Sequence, residues 1–223
     1  KKVAYGDIIN CIKSIMGIDI YSLSKPTKRA VFGGVYDNYK SKNRSAKIHI
    51  YPKTVMNHYI FKPNLRFIKD NISIETQKKF DIGFDVESQR IIIPIYDSYY
   101  NLLGVKGRLN QEVTDEDLKY VYMMSTQKHL TMYGYCQNYE YLYGGDILIG
   151  EAEKFVLQCD TYEYYSSLAI GGNALTEEQC KIIFSLNPKS ITLAFDMGLD
   201  NEVVKRNIEL LKQYLIMRDT KIR

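Results

Sequence analysis

Ile147-Leu148-Ile149-Gly150-Glu151 and Ile191-Thr192-Leu193-Ala194-Phe195-Asp196 are two short apolar segments that each run straight into one acid. Both have the length and branching of buried strands, and the chain between them is long enough for a βαβαβ crossover. Parallel strands in such a unit bring their C-terminal ends to one edge of the sheet, where open α/β folds bind ligands. Two carboxylates at that edge make a hard, oxygen-rich site that suits Mg²⁺, or Mn²⁺, and the phosphates it carries.

Working outward, the last third of the chain alternates cleanly. The pattern predicts a strand over 146–150, a helix over about 152–159 and a strand over 164–170. Gly171-Gly172 comes next, then a helix over 176–186, a strand over 190–195 and a helix over 201–216. Thr176 and Gln179 form a capping box for the second helix. Val204, Ile208, Leu211 and Leu215 give the last helix one apolar face. Strands alternating with helices imply a parallel sheet with right-handed crossovers.

Upstream the pattern changes. Residues 5–21 carry Ile8, Ile9, Ile12, Ile15 and Met16 at helical spacing behind Asp7, a candidate cap. A polar, basic stretch from Lys25 to Lys53 reads as loops with one short strand over 47–51, and a solvated surface is the favoured reading of its charge. Two short helices follow over 64–71 and 73–80, the second capped by Ser73. Then comes a hairpin: strand Arg90–Tyr96, turn Asp97–Asn101, return strand Leu102–Arg108. Pro94 cannot donate to a ladder, so its position belongs at an edge or a bulge. A polar loop over 110–117 then leads through Lys119-Tyr120 and Lys128 to Tyr133-Gly134.

Composition narrows the class. The 223 residues suffice for one large domain or two small ones, and 45% hydrophobic with 25% charged residues is an ordinary globular balance. A net charge of +4 is too small for a polycation, so any nucleic-acid contact must come from local clustering. Cys11, Cys136, Cys159 and Cys180 lack C-x-x-C spacing, which argues against a zinc ribbon or disulfide scaffold and for a reducing, cytoplasmic setting. Three scattered histidines make no metal cluster, and no apolar run is long enough to span a bilayer. Twenty tyrosines and no tryptophan are unusual; Tyr99 and Tyr100, at the hairpin tip, read as partly exposed turn residues before they read as base-stacking groups.

The order of these segments resembles the catalytic core of DnaG-type primases. The residues that carry the resemblance are Lys79-Phe80-Asp81-Ile82-Gly83-Phe84, Arg90-Ile91-Ile92-Ile93-Pro94-Ile95-Tyr96-Asp97 and Gly104-Val105-Lys106-Gly107-Arg108. They are followed by Lys119-Tyr120, Lys128 and Met132-Tyr133-Gly134. The acid-bearing unit resembles a TOPRIM domain, with Ile149-Gly150-Glu151, Ala169-Ile170-Gly171-Gly172 and Ala194-Phe195-Asp196 as its three motifs; Glu151-Ala152-Glu153-Lys154 is closer to phage-encoded members. The likeness covers roughly 60–217. It implies an α/β chain with an α+β N-terminal subdomain over 1–142 that binds template, and a TOPRIM domain over 143–223.

The resemblance further implies a DNA primase that makes short RNA primers on single-stranded DNA from ribonucleoside triphosphates with Mg²⁺ or Mn²⁺, with a replicative helicase as a further partner and no membrane. Glu151 and Asp196 would be catalytic, and with Asp200 would hold metal. Lys106, Arg108, Lys119, Lys128, Gly171 and Gly172 would contact nucleic acid or nucleotide, with Arg66 a weaker candidate. Three departures stand out. Gly198 occupies the place of the family's second aspartate, and the N-terminal zinc module and a third acidic pair are missing, so the chain reads as a fragment or a divergent relative. Each site residue also has a plain structural reading: Glu151 as an edge residue or helix cap, Asp200 as the N-cap of the last helix, the cations as solvated surface, and Glu153 as a surface residue. Gly198 favours an alternative in which the chain is a catalytically impaired TOPRIM module that only binds nucleic acid. A TOPRIM nuclease or topoisomerase ranks last, because segment 72–108 is foreign to that pattern.

Overall fold

Asn64 and Ser73 each accept a hydrogen bond from a backbone N–H two or three residues on, and each starts a short helix: α1 (Leu65–Lys69) and α2 (Ile74–Lys79). The computed structural model describes residues 48–112, 118–215 and 219–223. The helix expected over 5–21, the basic stretch as far as Lys47 and positions 113–117 of the polar loop lie outside the described residues. The strand expected over 47–51 reduces to a single bridge between Tyr51 and Leu102.

After α2, the chain builds a four-stranded antiparallel sheet in sequence order: β1 (Gly83–Asp85), β2 (Arg90–Tyr96), β3 (Leu102–Leu109) and β4 (Tyr120–Tyr122). The β2–β3 hairpin pairs Ile92 with Gly107 and Pro94 with Val105, with a bulge between Ile95 and Tyr96. β1 stops pairing at Ile92, so Pro94 sits where no strand flanks that side and one residue before the bulge. At the tip Tyr99 is 85% exposed, whereas Tyr100 stacks on Tyr96 at 4.5 Å and both hydroxyls donate to Asp81.

Helix α3 (Tyr135–Leu142) then leads to the alternating unit of β5 (Asp146–Gly150), α4 (Glu153–Thr161), β6 (Ser167–Ala169), α5 (Glu177–Ser185), β7 (Ser190–Leu193), α6 (Asn201–Lys212) and β8 (Lys221–Ile222). All four strands are parallel, in the order β6-β5-β7-β8. β6 starts three residues later than its apolar pattern suggests. Glu163 adopts φ 62°, and the N–H groups of Glu163 and Tyr164 close back on the carbonyls of Asp160 and Cys159, a Schellman end to α4 that uses up those residues. The last helix likewise ends at Lys212 rather than 216.

The capping box of α5 is present: Thr176 accepts from the Gln179 N–H, and the Gln179 side chain accepts from the Thr176 N–H. Thr176→Ala should cost about 1 kcal/mol, read as a lower urea midpoint at unchanged slope. One apolar core (Phe67, Phe80, Ile91, Ile93 and Ile95 with Tyr133, Val156, Leu157 and Ala169) fills the space between the antiparallel sheet and α4. A second lies within the parallel-sheet layer. Residues 48–223 therefore pack as one unit, and α4 fills the seam between the two sheets with both apolar contacts and buried ion pairs.

Candidate functional site

The crossover from β5 to β6 and the crossover that reaches β7 run to opposite sides of β5, so the switch point of the sheet falls between β5 and β7. Glu151 follows β5 directly, and Asp196 follows β7 after the Ala194 N–H has made one more ladder bond to the Ile149 carbonyl. The two acids meet there: the Asp196 N–H donates to Glu151 Oε1 at 3.0 Å. The Glu151 carbonyl accepts from the Gly171 N–H at 2.9 Å, which ties the third strand end to the first. Glu151 is half-buried and Asp196 exposed, so both carboxylates reach solvent at a fixed edge.

Two hard oxygen donors beside an open face suit Mg²⁺, which usually takes one or two protein carboxylates and completes its shell with water and substrate phosphate. Among the described residues no group of three or more His, Cys, Asp or Glu side chains closes around one point. Asp200 therefore does not join the pair in such a cluster; its Oδ1 accepts from the Glu202 N–H at 2.9 Å and caps α6. Gly198 is exposed, with nothing within 4 Å of where a side chain would start.

The basic residues divide into two kinds. Lys128 and Lys119 are exposed, and neither has an acid partner among the described residues. Lys128 donates to the Gly171 carbonyl at 2.7 Å, which places its ammonium on the glycine turn next to Glu151. Lys119 lies 5.9 Å from the centre of the Tyr120 ring. Lys106 and Arg108, on the same face of β3, are instead buried and each lies against an acid, although Arg108 shares its carboxylate and keeps Nε and Nη1 without a hydrogen-bond partner among the described residues. Lys106 Nζ is 2.6 Å from Glu153 Oε2, with side-chain exposures of 12% and 3%. Arg108 is buried against Phe67, and its Nη2 pairs with Asp70 at 3.2 Å, the same carboxylate that Lys154 reaches at 3.0 Å. Neither is the exposed cation that the resemblance implied for contact with nucleic acid or nucleotide, because α1 and α4 cover that face of β3.

Glu153 corrects the sequence reading most sharply. Its place in the first turn of α4 suggested a surface residue, yet it is 2% exposed and faces the other sheet. Glu153 opens the helix whereas Glu151 precedes its N-cap, and the packing of α4 against β3 decides which way Glu153 turns. The sequence reading also passed over Gln179, 1% exposed, whose amide donates to the carbonyls of Lys128, Thr131 and Ile170 and so fixes the Lys128 turn against the sheet edge. Gly171 has φ +70°, which is why glycine stands there; a Cβ would meet only ordinary contact with Lys128. Arg66 opens on a separate groove of about 700 Å³ that Lys62 and Lys69 also line, with its Nη1 3.8 Å from Glu112. Burial pushes the Cys136 and Cys180 thiols up to about 12, which leaves neither as a thiolate nucleophile near neutral pH.

No protein-family model matches the chain. The SPbeta prophage-derived uncharacterised protein YorJ of Bacillus subtilis strain 168 is 26% identical over 169 residues, 69% of this chain and 45% of that protein. The crystal structure of the Aquifex aeolicus primase, zinc-binding and RNA polymerase domains, superposes with a TM-score of 0.61 at 19% identity and covers 94% of this chain and 58% of its own. A DnaG primase catalytic domain bound to single-stranded DNA superposes at 0.59 and 16%, covering 73% of this chain and 64% of its own. The primase fragment of the bacteriophage T7 primase-helicase protein gives 0.54 and 17%, covering 81% and 71%. The chain has the fold of a DnaG-type primase catalytic core. It spans less than half of the curated prophage relative and less than two thirds of the Aquifex primase chain. In this primase-core fold the antiparallel sheet and the acid-bearing parallel sheet are the two halves described above, and the order of the sequence motifs follows the order of their elements.

Proposed function

We propose that the protein is the RNA-polymerising core of a primase, which joins ribonucleotides on single-stranded DNA. The observation that carries this reading is the meeting of Glu151 and Asp196 at the switch point, with the Lys128 ammonium, which has no acid partner among the described residues, anchored on the adjoining Gly171 turn. A divalent cation held by the two carboxylates would supply charge neutralisation for in-line nucleotidyl transfer. The ribose hydroxyl of one nucleotide attacks the α-phosphate of the next; a phosphodiester forms, pyrophosphate leaves and the hydroxyl proton passes to solvent. Lys128 meets the negative charge of the departing phosphates, and Lys119, exposed beside Tyr120, adds a second cation for nucleic acid or nucleotide. Gln179 and the Gly171 turn keep Lys128 in that position. The groove at Lys62, Arg66 and Lys69, three cations against the carboxylates of Asp70 and Glu112, keeps a net positive charge for the phosphates of a template strand, where contacts position without reading sequence.

The deciding experiment is synthesis of short RNA on single-stranded DNA with ribonucleoside triphosphates and Mg²⁺ or Mn²⁺, using the full natural protein. Products a few nucleotides long that need both template and metal support the reading. Tight DNA binding without product rejects it. That result would favour the second reading, a binding module with an incomplete acid set, for which the open position at Gly198 speaks. For the template groove, Arg66→Ala should weaken DNA binding alike across sequences and flatten the log–log salt dependence by about one unit of slope; an unchanged slope would place the template elsewhere.

A further inference from the structure

The surplus of tyrosine has no part in the site above, and much of it gathers on α3 and the segment that follows α4. Tyr139, Tyr141 and Tyr143 are 48%, 53% and 60% exposed, and Tyr162 is 69% exposed. This face lies away from the acids: the Tyr164 hydroxyl donates to the carbonyl of Asp146, the first residue of β5, so it adjoins the N-terminal edge of the parallel sheet. Beside it runs a groove of about 690 Å³ whose walls include Tyr141 and Tyr165, with ring centres 4.7 Å apart, and whose charged lining is Glu75, Asp160, Glu163 and Lys79. Three carboxylates against one ammonium leave the groove at a net charge of −2. Lys79 is already spent on the buried Asp160 carboxylate, and its ammonium sits 4.6 Å from the centre of the Tyr165 ring.

We propose that this groove docks a basic segment of another protein, with an Arg or Lys side chain laid on the Tyr141–Tyr165 wall and its charge set against Glu75 and Glu163. The chemistry of the lining selects that partner. Tyrosine faces attract guanidinium and ammonium groups, and Lys79 already uses one of these rings in that way. Exposed tyrosines in a cluster supply large, rigid contact area at little entropic cost, as at protein interfaces. The carboxylates disfavour a nucleic-acid backbone, which would bring like charge into the groove. A site of this kind would let a partner hold the protein without covering the Glu151–Asp196 edge.

The test uses a fluorescently labelled twelve-residue peptide of alternating arginine and glycine, followed by anisotropy. The wild-type chain should bind it with an affinity that falls as salt rises. Tyr141→Ala, at an exposed position that leaves the fold intact, should lose roughly fivefold in affinity, and Glu163→Gln should lose part of the salt dependence. Glu151→Gln, at the opposite edge, should bind like wild type. Equal binding by Tyr141→Ala, or loss of binding in Glu151→Gln, overturns the assignment. So does displacement of the peptide by single-stranded DNA, which would make the groove a nucleic-acid site. A concentration-dependent dimer in sedimentation that Tyr141→Ala dissolves would make its occupant a second copy, and also overturns it.

Discussion

Glu151→Gln should reduce RNA synthesis by at least 10²–10³-fold while leaving DNA binding and thermal stability unchanged. The amide is isosteric, and its carbonyl oxygen still accepts from the Asp196 N–H, so the strand ends stay joined. What disappears is one negative charge at the edge, while the hydrogen bond stays: a neutral oxygen holds a divalent cation far more weakly than a carboxylate. Primer yield at saturating nucleotide, alongside anisotropy of a labelled DNA strand, separates the two effects. A variant that keeps more than a tenth of wild-type synthesis would show that Glu151 is a structural edge residue, and the centre would have to be sought elsewhere.

The second large effect concerns the seam. Lys106→Met should destabilise the protein by about 3–5 kcal/mol, because it leaves the Glu153 carboxylate buried without its counter-charge. Lys106→Met combined with Glu153→Leu should return to within about 1 kcal/mol of wild type, since buried ion pairs replaced by apolar groups of similar size are often close to neutral. Chemical denaturation of the four corners of this cycle gives the coupling directly. If Lys106→Met alone unfolds at the wild-type midpoint, the pair is not the buried link between the sheets described above. The ring centres of Tyr120 and Tyr122 lie 4.8 and 5.7 Å from the Lys106 ammonium.

Much of this protein is written locally. The βαβαβ alternation, the Thr176–Gln179 capping box, the two capped helices at Asn64 and Ser73 and the β2–β3 hairpin each depend on residues a few positions apart, and each appears within a few residues of its expected place. The two strand-ending acids belong to the same class, because parallel topology alone sends both strand ends to one edge. The misplaced ends have local causes that hydropathy does not carry, such as the positive φ at Glu163 that delays β6.

What the tertiary structure decided is the state of each charge. Lys106, Arg108, Lys119 and Lys128 look alike in the sequence, but two are buried against acids and two are exposed. Glu151 and Glu153 are two residues apart; one ends a strand at the open edge, and the other turns into the interface between the sheets. Asp196 reaches Glu151 across 45 positions of chain, whereas Asp200, four residues further on, turns to its own helix. Periodicity fixes which residues share a strand or a helix face. Whether a charge on that face is active or cancelled depends on the element packed over it, and that partner is distant in the chain.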